Sequence, residues 1–336
     1  MKKIILATLA AASLVACAKE DIVASTNGEA IAFNNAFVDN TTKAIDPSIT
    51  TTNGKLEGFQ VYGTTTGNQT GAVAVNIFNG VNVGYDISTG VGPEGWKYAN
   101  EYTQYWINGN TYKFAAIVNA EVSEFDGVVS QMPTKLSYVA VDDKDLLYAE
   151  NNYGKYTTGS ATTVKFTFNH LLSKVKFVVK NNMTSNTDSR LYQYSIDNVV
   201  LNKAFASGIY EISTDKWTGA GEKTYEFGNV SNATDNGDNN NAAMIGKVGV
   251  VDQATSHYEH LLVPGTINAN ITATISTWLN GHKIHEEPYT ANVALTLEKG
   301  HAYNLVIAFG DPGEVIQFSV EKVNGWVEGA DADKNL

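Results

Sequence analysis

The stretch Val164-Lys165-Phe166-Thr167-Phe168-Asn169-His170-Leu171-Leu172-Ser173-Lys174-Val175-Lys176-Phe177-Val178-Val179 decides the fold. Val164, Phe166 and Phe168 alternate with polar neighbours, and after a short break Val175, Phe177 and Val179 lead a second run. Successive side chains of a strand point to opposite faces, so a period of two marks a strand with one buried face. The same period returns at Val293, Leu295 and Leu297, and at Tyr303, Leu305, Ile307 and Phe309. The clearest hairpin covers residues 271–289 about Asn280-Gly281, with Ile271, Ala273, Ile275, Thr277 and Leu279 on one face of its first strand.

Working outward, Asn-Gly pairs at 53–54, 79–80, 108–109, 280–281 and 324–325 suit the positive φ angles of tight hairpin turns. Beyond residue 16 no window of a dozen residues carries a 3.6-residue period, so any helix is expected to be short. Thr, Asn, Gly, Val and Tyr are plentiful and only 17% of residues are charged, a composition of strands and turns. Many strands at turn-punctuated spacing predict an all-β chain built of β-sandwiches. The polar stretch 150–163 separates two sets of strands, which places an expected division near residue 160, with an N-terminal domain over 29–160 and a C-terminal domain over 161–336. Residues 231–241, rich in Asn and Asp, read as a surface loop.

The N-terminus reads as an export signal. Lys2 and Lys3 precede an apolar stretch of 13 residues, 4–16, and then the lone cysteine, Cys17. That stretch is too short to span a bilayer, which takes roughly 20 apolar residues. The junction Leu14-Val15-Ala16-Cys17 resembles a bacterial lipobox, in which the Cys17 thiol takes a diacylglycerol and the bond between Ala16 and Cys17 is then cut. As the only cysteine of 336 residues, Cys17 has no partner for a disulfide within its own chain. Residues 1–16 are thus read as a signal peptide and 17–28 as a tether. Ala18-Lys19-Glu20-Asp21 resembles the signal that sends lipoproteins to the outer face of the outer membrane. Two acyl chains suit a durable anchor, because a buried methylene contributes about 0.8 kcal/mol and one chain holds only marginally.

A net charge of −12 and a single arginine, Arg190, argue against nucleic acid as a partner. His282 and His285, and equally His257 and His260, are three apart, which in a strand sends them to opposite faces and away from a common metal ion. Asp235-Asn236-Gly237-Asp238 lacks the glycine and glutamate positions of a calcium loop, and Gly219-Ala220-Gly221-Glu222-Lys223-Thr224 lacks the spacing of a phosphate-binding loop. No nucleophile elbow, dinucleotide fingerprint or zinc-protease helix occurs, so the reading is a non-enzyme with no cofactor and no metal. Trp96, Tyr98, Tyr102, Tyr105 and Trp106 lie close together. Such clusters form sugar-stacking platforms, which gives the alternative of a surface glycan-binding lipoprotein; the competing reading puts Trp106 and Tyr112 in the core around the Asn108-Gly109 turn.

Taken together, the motifs resemble the fimbrillin subunits of Bacteroidales type V pili. The run from Phe168 to Phe177 resembles the family's F-x-H-x-L-S-K-V-x-F pattern. Asp145-Leu146-Leu147-Tyr148-Ala149, Leu261-Leu262-Val263-Pro264, Lys299-Gly300-His301-Ala302-Tyr303 and Gly325-Trp326 follow the family's order. The resemblance implies two tandem transthyretin-like, Greek-key β-sandwich domains and a lipoprotein precursor at the cell surface. After processing, the subunit would join a fimbrium with other pilus subunits as partners, and host or bacterial surfaces as further ligands. It also implies donor-strand exchange, in which a first strand is removed by proteolysis and a neighbour's strand fills the groove. The displaced strand would be 30–38, carrying Ile31, Phe33 and Phe37. The donor would be 315–323, carrying Ile316, Phe318 and Val320. Thr42-Lys43-Ala44 stands where relatives carry Thr-Arg-Ala for cleavage, so an arginine-specific protease has no site between Lys43 and Ala44. Either a lysine-tolerant protease cuts there, or the chain stays whole as an anchor or as a surface protein that does not polymerise.

Overall fold

The computed structural model describes residues 28–38, 56–85, 88–93, 95–140, 144–160, 163–184, 192–231, 253–311 and 313–323. Within them the chain forms 21 β-strands, numbered here in chain order, and the helical structure among the described residues is one 3₁₀ turn at Asn100–Tyr102. The all-β expectation holds.

The first sheet has seven strands in the spatial order β1 (Phe33–Val38), β9 (Val164–His170), β8 (Leu147–Lys155), β5 (Thr111–Val118), β2 (Gly58–Thr66), β3 (Ala74–Tyr85) and β4 (Trp96–Lys97). Neighbours are antiparallel except β1 and β9, which run parallel. A second sheet runs β15 (Val230–Ser231), β16 (Gln253–Ser256), β10 (Ser173–Asn181), β20 (Ala302–Phe309) and β21 (Gln317–Val323), with β17 (His260–Leu262) beside β16 on β10. Here too one pair, β10 with β20, is parallel. The third sheet, β14 (Lys223–Gly228), β11 (Tyr192–Ala204), β18 (Gly265–Leu279) and β19 (His282–Leu297), is antiparallel throughout. The fourth joins distant parts of the chain: β13 (Lys216–Ala220), β12 (Ser207–Glu211), β7 (Pro133–Val139) and β6 (Glu121–Phe125).

Two apolar cores result. The first collects Phe59, Phe78, Phe114, Phe166 and Phe168, while the second collects Phe177, Val179, Ile196, Leu201, Ile271, Ile275 and Phe309. Strand β5 serves both, because its period of two sends Tyr112, Phe114, Ala116 and Val118 into the first core and Ala115 and Ile117 into the second. Leu136 and Tyr138 of β7 also enter the second core. In β9, Val164, Phe166 and Phe168 are all buried. Full burial of such a side chain contributes about 1.5–3 kcal/mol, which outweighs the ~1 kcal/mol span of β-propensity and makes packing the reason this segment is a strand.

The hairpin about Asn280-Gly281 forms as expected. Asn280 and Gly281 both have positive φ, 49° and 80°, the geometry of a two-residue turn that matches strand twist. Asn79-Gly80 is a correction: it lies inside β3, where Val61 faces Val81 and Tyr62 faces Asn79, leaving Gly80 as the extra residue of a bulge. The polar stretch 150–163 is a second correction. Residues 150–155 are the exposed end of β8, their backbone paired with β5, so polarity there reflects an outer face and not a break in the strands. The pairs at 53–54 and 324–325, and residues 232–241 of the Asn-rich stretch, lie outside the described residues.

The chain passes from the first core to the second at Leu171 and Leu172, inside the opening stretch, so β9 packs with the strands before residue 160. Four of the runs that carried the family resemblance converge here, and Gly325-Trp326 lies outside the described residues. Leu171 N donates to Leu146 O at 3.0 Å, Gly300 N to Leu172 O at 2.8 Å, and Lys174 N to His301 O at 3.0 Å. Leu261 and Leu262 pair with Lys174 and Ser173. Buried beside them, His170 Nδ1 lies 2.5 Å from Asp145 Oδ2. Motifs spread over more than 150 residues are therefore one structural knot at the crossover.

Candidate functional site

Chemistry-bearing clusters are sparse. Among the described residues no group of three or more His, Cys, Asp or Glu side chains is placed to hold a metal ion. His282 and His285 lie exposed on β19, and His260 Nε2 meets Glu226 O at 2.8 Å from the start of β17. The aromatic cluster is divided. Trp96, Tyr98 and Trp106 are buried, and Trp106 packs its ring 4.6 Å from that of Tyr112. Only Tyr102 and Tyr105 are exposed, at 48% and 40%. The five-ring sugar platform is thereby corrected: three of its rings are core, because Trp96 packs on Phe59, Tyr98 on Phe33 and Trp106 on Tyr112. A cleft of ≈ 700 Å³ between β2, β3, β6 and β7 offers Glu57, Gln60, Asn82, Asn119 and Glu121, but its rings, Phe59 and Tyr138, are themselves buried.

The site with the most distinctive geometry is the bed of the first strand. Ile31 and Phe33 are both 0% exposed. Phe33 lies in a box of four rings, with centroid distances of 5.3 Å to Phe78, 5.7 Å to Tyr98, 5.9 Å to Phe114 and 5.9 Å to Phe166. Such ring pairs contribute about 0.5–1.5 kcal/mol each beyond their burial. The backbone is held on both sides. Ile31 N donates to Gln104 O at 2.8 Å and Trp106 N to Glu29 O at 3.0 Å, while Val164 N donates to Ala32 O at 2.8 Å. Further along, Phe33 faces Val164, Asn34 faces Lys165 and Phe37 faces Thr167.

Tyr98 adds a polar point to this apolar bed. Its hydroxyl donates to Ile31 O at 2.6 Å, and burial pushes its pKa upward, so it stays a neutral donor. Neither this bond nor the pairing with 104–106 was legible in the sequence, since both join segments some 70 residues apart. The density of aromatics from Trp96 to Phe114 was the visible signal, without its partner.

At the other end of the chain, β21 occupies the edge of the second sheet on β20. None of its residues is buried. Ile316, just before it, and Phe318 are half-buried against the second core, and Val320 is 39% exposed. Glu321 reaches Lys180 at 2.5 Å and Lys322 reaches Glu298 at 2.8 Å. Partly exposed ion pairs of this kind contribute about 0–1 kcal/mol, so β21 is held mainly by its ladder on β20. Ala16, Cys17, Lys43 and Ala44 lie outside the described residues, as does the side chain of Phe37.

A sequence profile described as fimbrillin-like matches residues 42–326. The chain belongs to the fimbrillin-like family. Among solved structures, this fimbrillin-like chain is similar to a fimbrial protein from Bacteroides vulgatus ATCC 8482, with a TM-score of 0.55 and 14% identity over 81% of this chain and 93% of that one. It also aligns with a candidate cell adhesion protein from Bacteroides uniformis ATCC 8492, at TM-score 0.46 and 18% identity over 87% and 97% of the two chains. A candidate cell adhesion protein from Bacteroides ovatus ATCC 8483 aligns at TM-score 0.44 and 15% identity over 90% and 98%. No curated protein matches. At these identities the first similarity speaks for the fold alone, and that fold is the β-sandwich architecture of a fimbrial protein.

Proposed function

We propose that this fimbrillin-like chain is a structural subunit of a cell-surface fimbrium, exported as a lipoprotein and assembled by donor-strand exchange. The observation that carries the reading is the bed of β1: Ile31 and Phe33 are wholly enclosed in an apolar groove, yet the strand sits at the end of its sheet and near the start of the chain. Cutting after Lys43 would free it. The vacated groove would offer the edges at 104–106 and β9, with side-chain pockets between them. An open edge with vacant pockets is stabilised by any strand that supplies backbone hydrogen bonds and alternating apolar residues. The segment carrying Ile316, Phe318 and Val320 has that alternation and is the looser of the two strands.

In this proposal Cys17 carries the lipid after cleavage behind Ala16, and the outer membrane holds the precursor until Lys43–Ala44 is cut. Two tandem transthyretin-like domains remain the proposed division. Their partners are other pilus subunits, with adhesion to host or bacterial surfaces as a further role and no catalysis. Two measurements test it. A chain ending at residue 314 should fold and stay monomeric under conditions where the full chain assembles; fibres of normal length from it would end the proposal. Mass spectrometry of surface-extracted protein should find Ala44 at the mature N-terminus, whereas acylated Cys17 throughout would mark a permanent anchor.

A further inference from the structure

The two candidate strands share a short pattern at matching spacing: Ile31-Ala32-Phe33 and Ile316-Gln317-Phe318. We infer that the donor strand of a second copy of this chain enters the groove in the same direction as β1, with Ile316 taking the place of Ile31 and Phe318 the place of Phe33. The inference rests on the strand-exchange reading and adds to it a polarity, a register and a partner.

Three observations carry it. The bed is asymmetric, because Phe33 stands within four rings while Ile31 lies two residues nearer the N-terminus, both at 0% exposure. Entry in the same direction replaces isoleucine by isoleucine and phenylalanine by phenylalanine, conserving volume at each pocket, which packed interiors tolerate best. Entry in the opposite direction puts Phe318 in the smaller pocket and leaves the ring box underfilled by Ile316, combining overpacking with a cavity. The Tyr98 hydroxyl needs a backbone carbonyl where Ile31 O stands, 2.6 Å away, and Val164 N needs another where Ala32 O stands. In the proposed register, the carbonyls of Ile316 and Gln317 fall there. At home, Ile316 and Phe318 are only half-buried, so the groove of a neighbour offers both side chains more burial than β20 does.

Engineered disulfides read the register directly, because Cys17 is the only natural cysteine and a bridge needs Cα atoms about 4.4–6.8 Å apart. Asn34 faces Lys165 across the β1–β9 ladder. In the proposed register Ser319 takes that place; in the opposite direction Val315 does. Full-length chains carrying Lys165→Cys with Ser319→Cys, or Lys165→Cys with Val315→Cys, are matured on cells, allowed to assemble and oxidised. The intrachain pair Asn34→Cys with Lys165→Cys in the uncut precursor serves as the control for geometry. A ladder of covalent multimers from the Ser319 pair, absent from the Val315 pair, is the expected result. A ladder from the Val315 pair alone overturns the polarity. Assembled fibres linked by neither pair overturn the register while leaving strand exchange standing. Absence of any multimer from the unsubstituted chain, cut or uncut, removes the strand-exchange reading and this inference with it.

Discussion

Phe33 and Phe318 have the same side chain and opposite circumstances. Phe33 is enclosed by four rings and has no exposed surface, whereas Phe318 is half-buried at a sheet edge. Truncating an enclosed phenylalanine removes its transfer energy and leaves a cavity, so Phe33→Ala in the full chain should cost about 3–5 kcal/mol. Phe318→Ala should cost about 1 kcal/mol. Urea unfolding of the two variants measures the difference, and equal losses would mean that β21 is no looser than β1. At this scale the sequence was readable for Ile31 and Phe33 as inward-facing residues, because alternation needs only neighbours. It was silent on the hydroxyl of Tyr98, whose acceptor at Ile31 is set by tertiary pairing. It was equally silent on His170 and Asp145, which stood out as parts of family motifs without any sign that they meet in the interior.

Elements show the same division between local and distant information. At Asn280-Gly281 the flanking strands pair with each other, so the turn chemistry and the hairpin coincide. At Asn79-Gly80 the same dipeptide is spent on a bulge, because β3 continues past it along β2. Whether an Asn-Gly pair ends a strand or kinks it depends on what lies alongside, which no local pattern contains. Gly80 has φ of +66°, and a Cβ there would stand 3.0 Å from the Tyr62 hydroxyl. Gly154, at φ +77°, has nothing within 4 Å. The left-handed conformation costs a residue with a side chain about 1–2 kcal/mol, so Gly154→Ala should lose about that much and Gly80→Ala more. Thermal melts of both variants separate the backbone cost from the contact with Tyr62. The long edge strand β19 illustrates protection of another kind: Lys283, His285, Glu286, Glu287 and Pro288 line its far half, a composition that discourages unplanned pairing at an exposed edge.

For the whole molecule, the expected division near residue 160 rested on a fall in apolar content, and the crossover instead lies among buried residues, Leu171 and Leu172. Polarity marks solvent exposure, and the end of β8 is exposed without being a linker. The fourth sheet also stitches the two halves, since β7 pairs with β12 over Lys135 to Val139; no reading of one segment at a time could reveal that seam. The proposed lipid anchor at Cys17 belongs to this scale as well. Cys17→Ala should release the precursor into the soluble fraction of a membrane separation, while a variant that still sediments with membranes would mean that the lipid is not what holds it. Finally, β1 lies parallel to β9, while residues 29–31 just ahead of it are bonded to 104–106 on the other flank. Any segment seated in that bed and pulled lengthwise would load its hydrogen bonds in shear, many at a time, instead of peeling them singly. In the proposed fibre, a chain of such joints would resist tension far better than sideways prying.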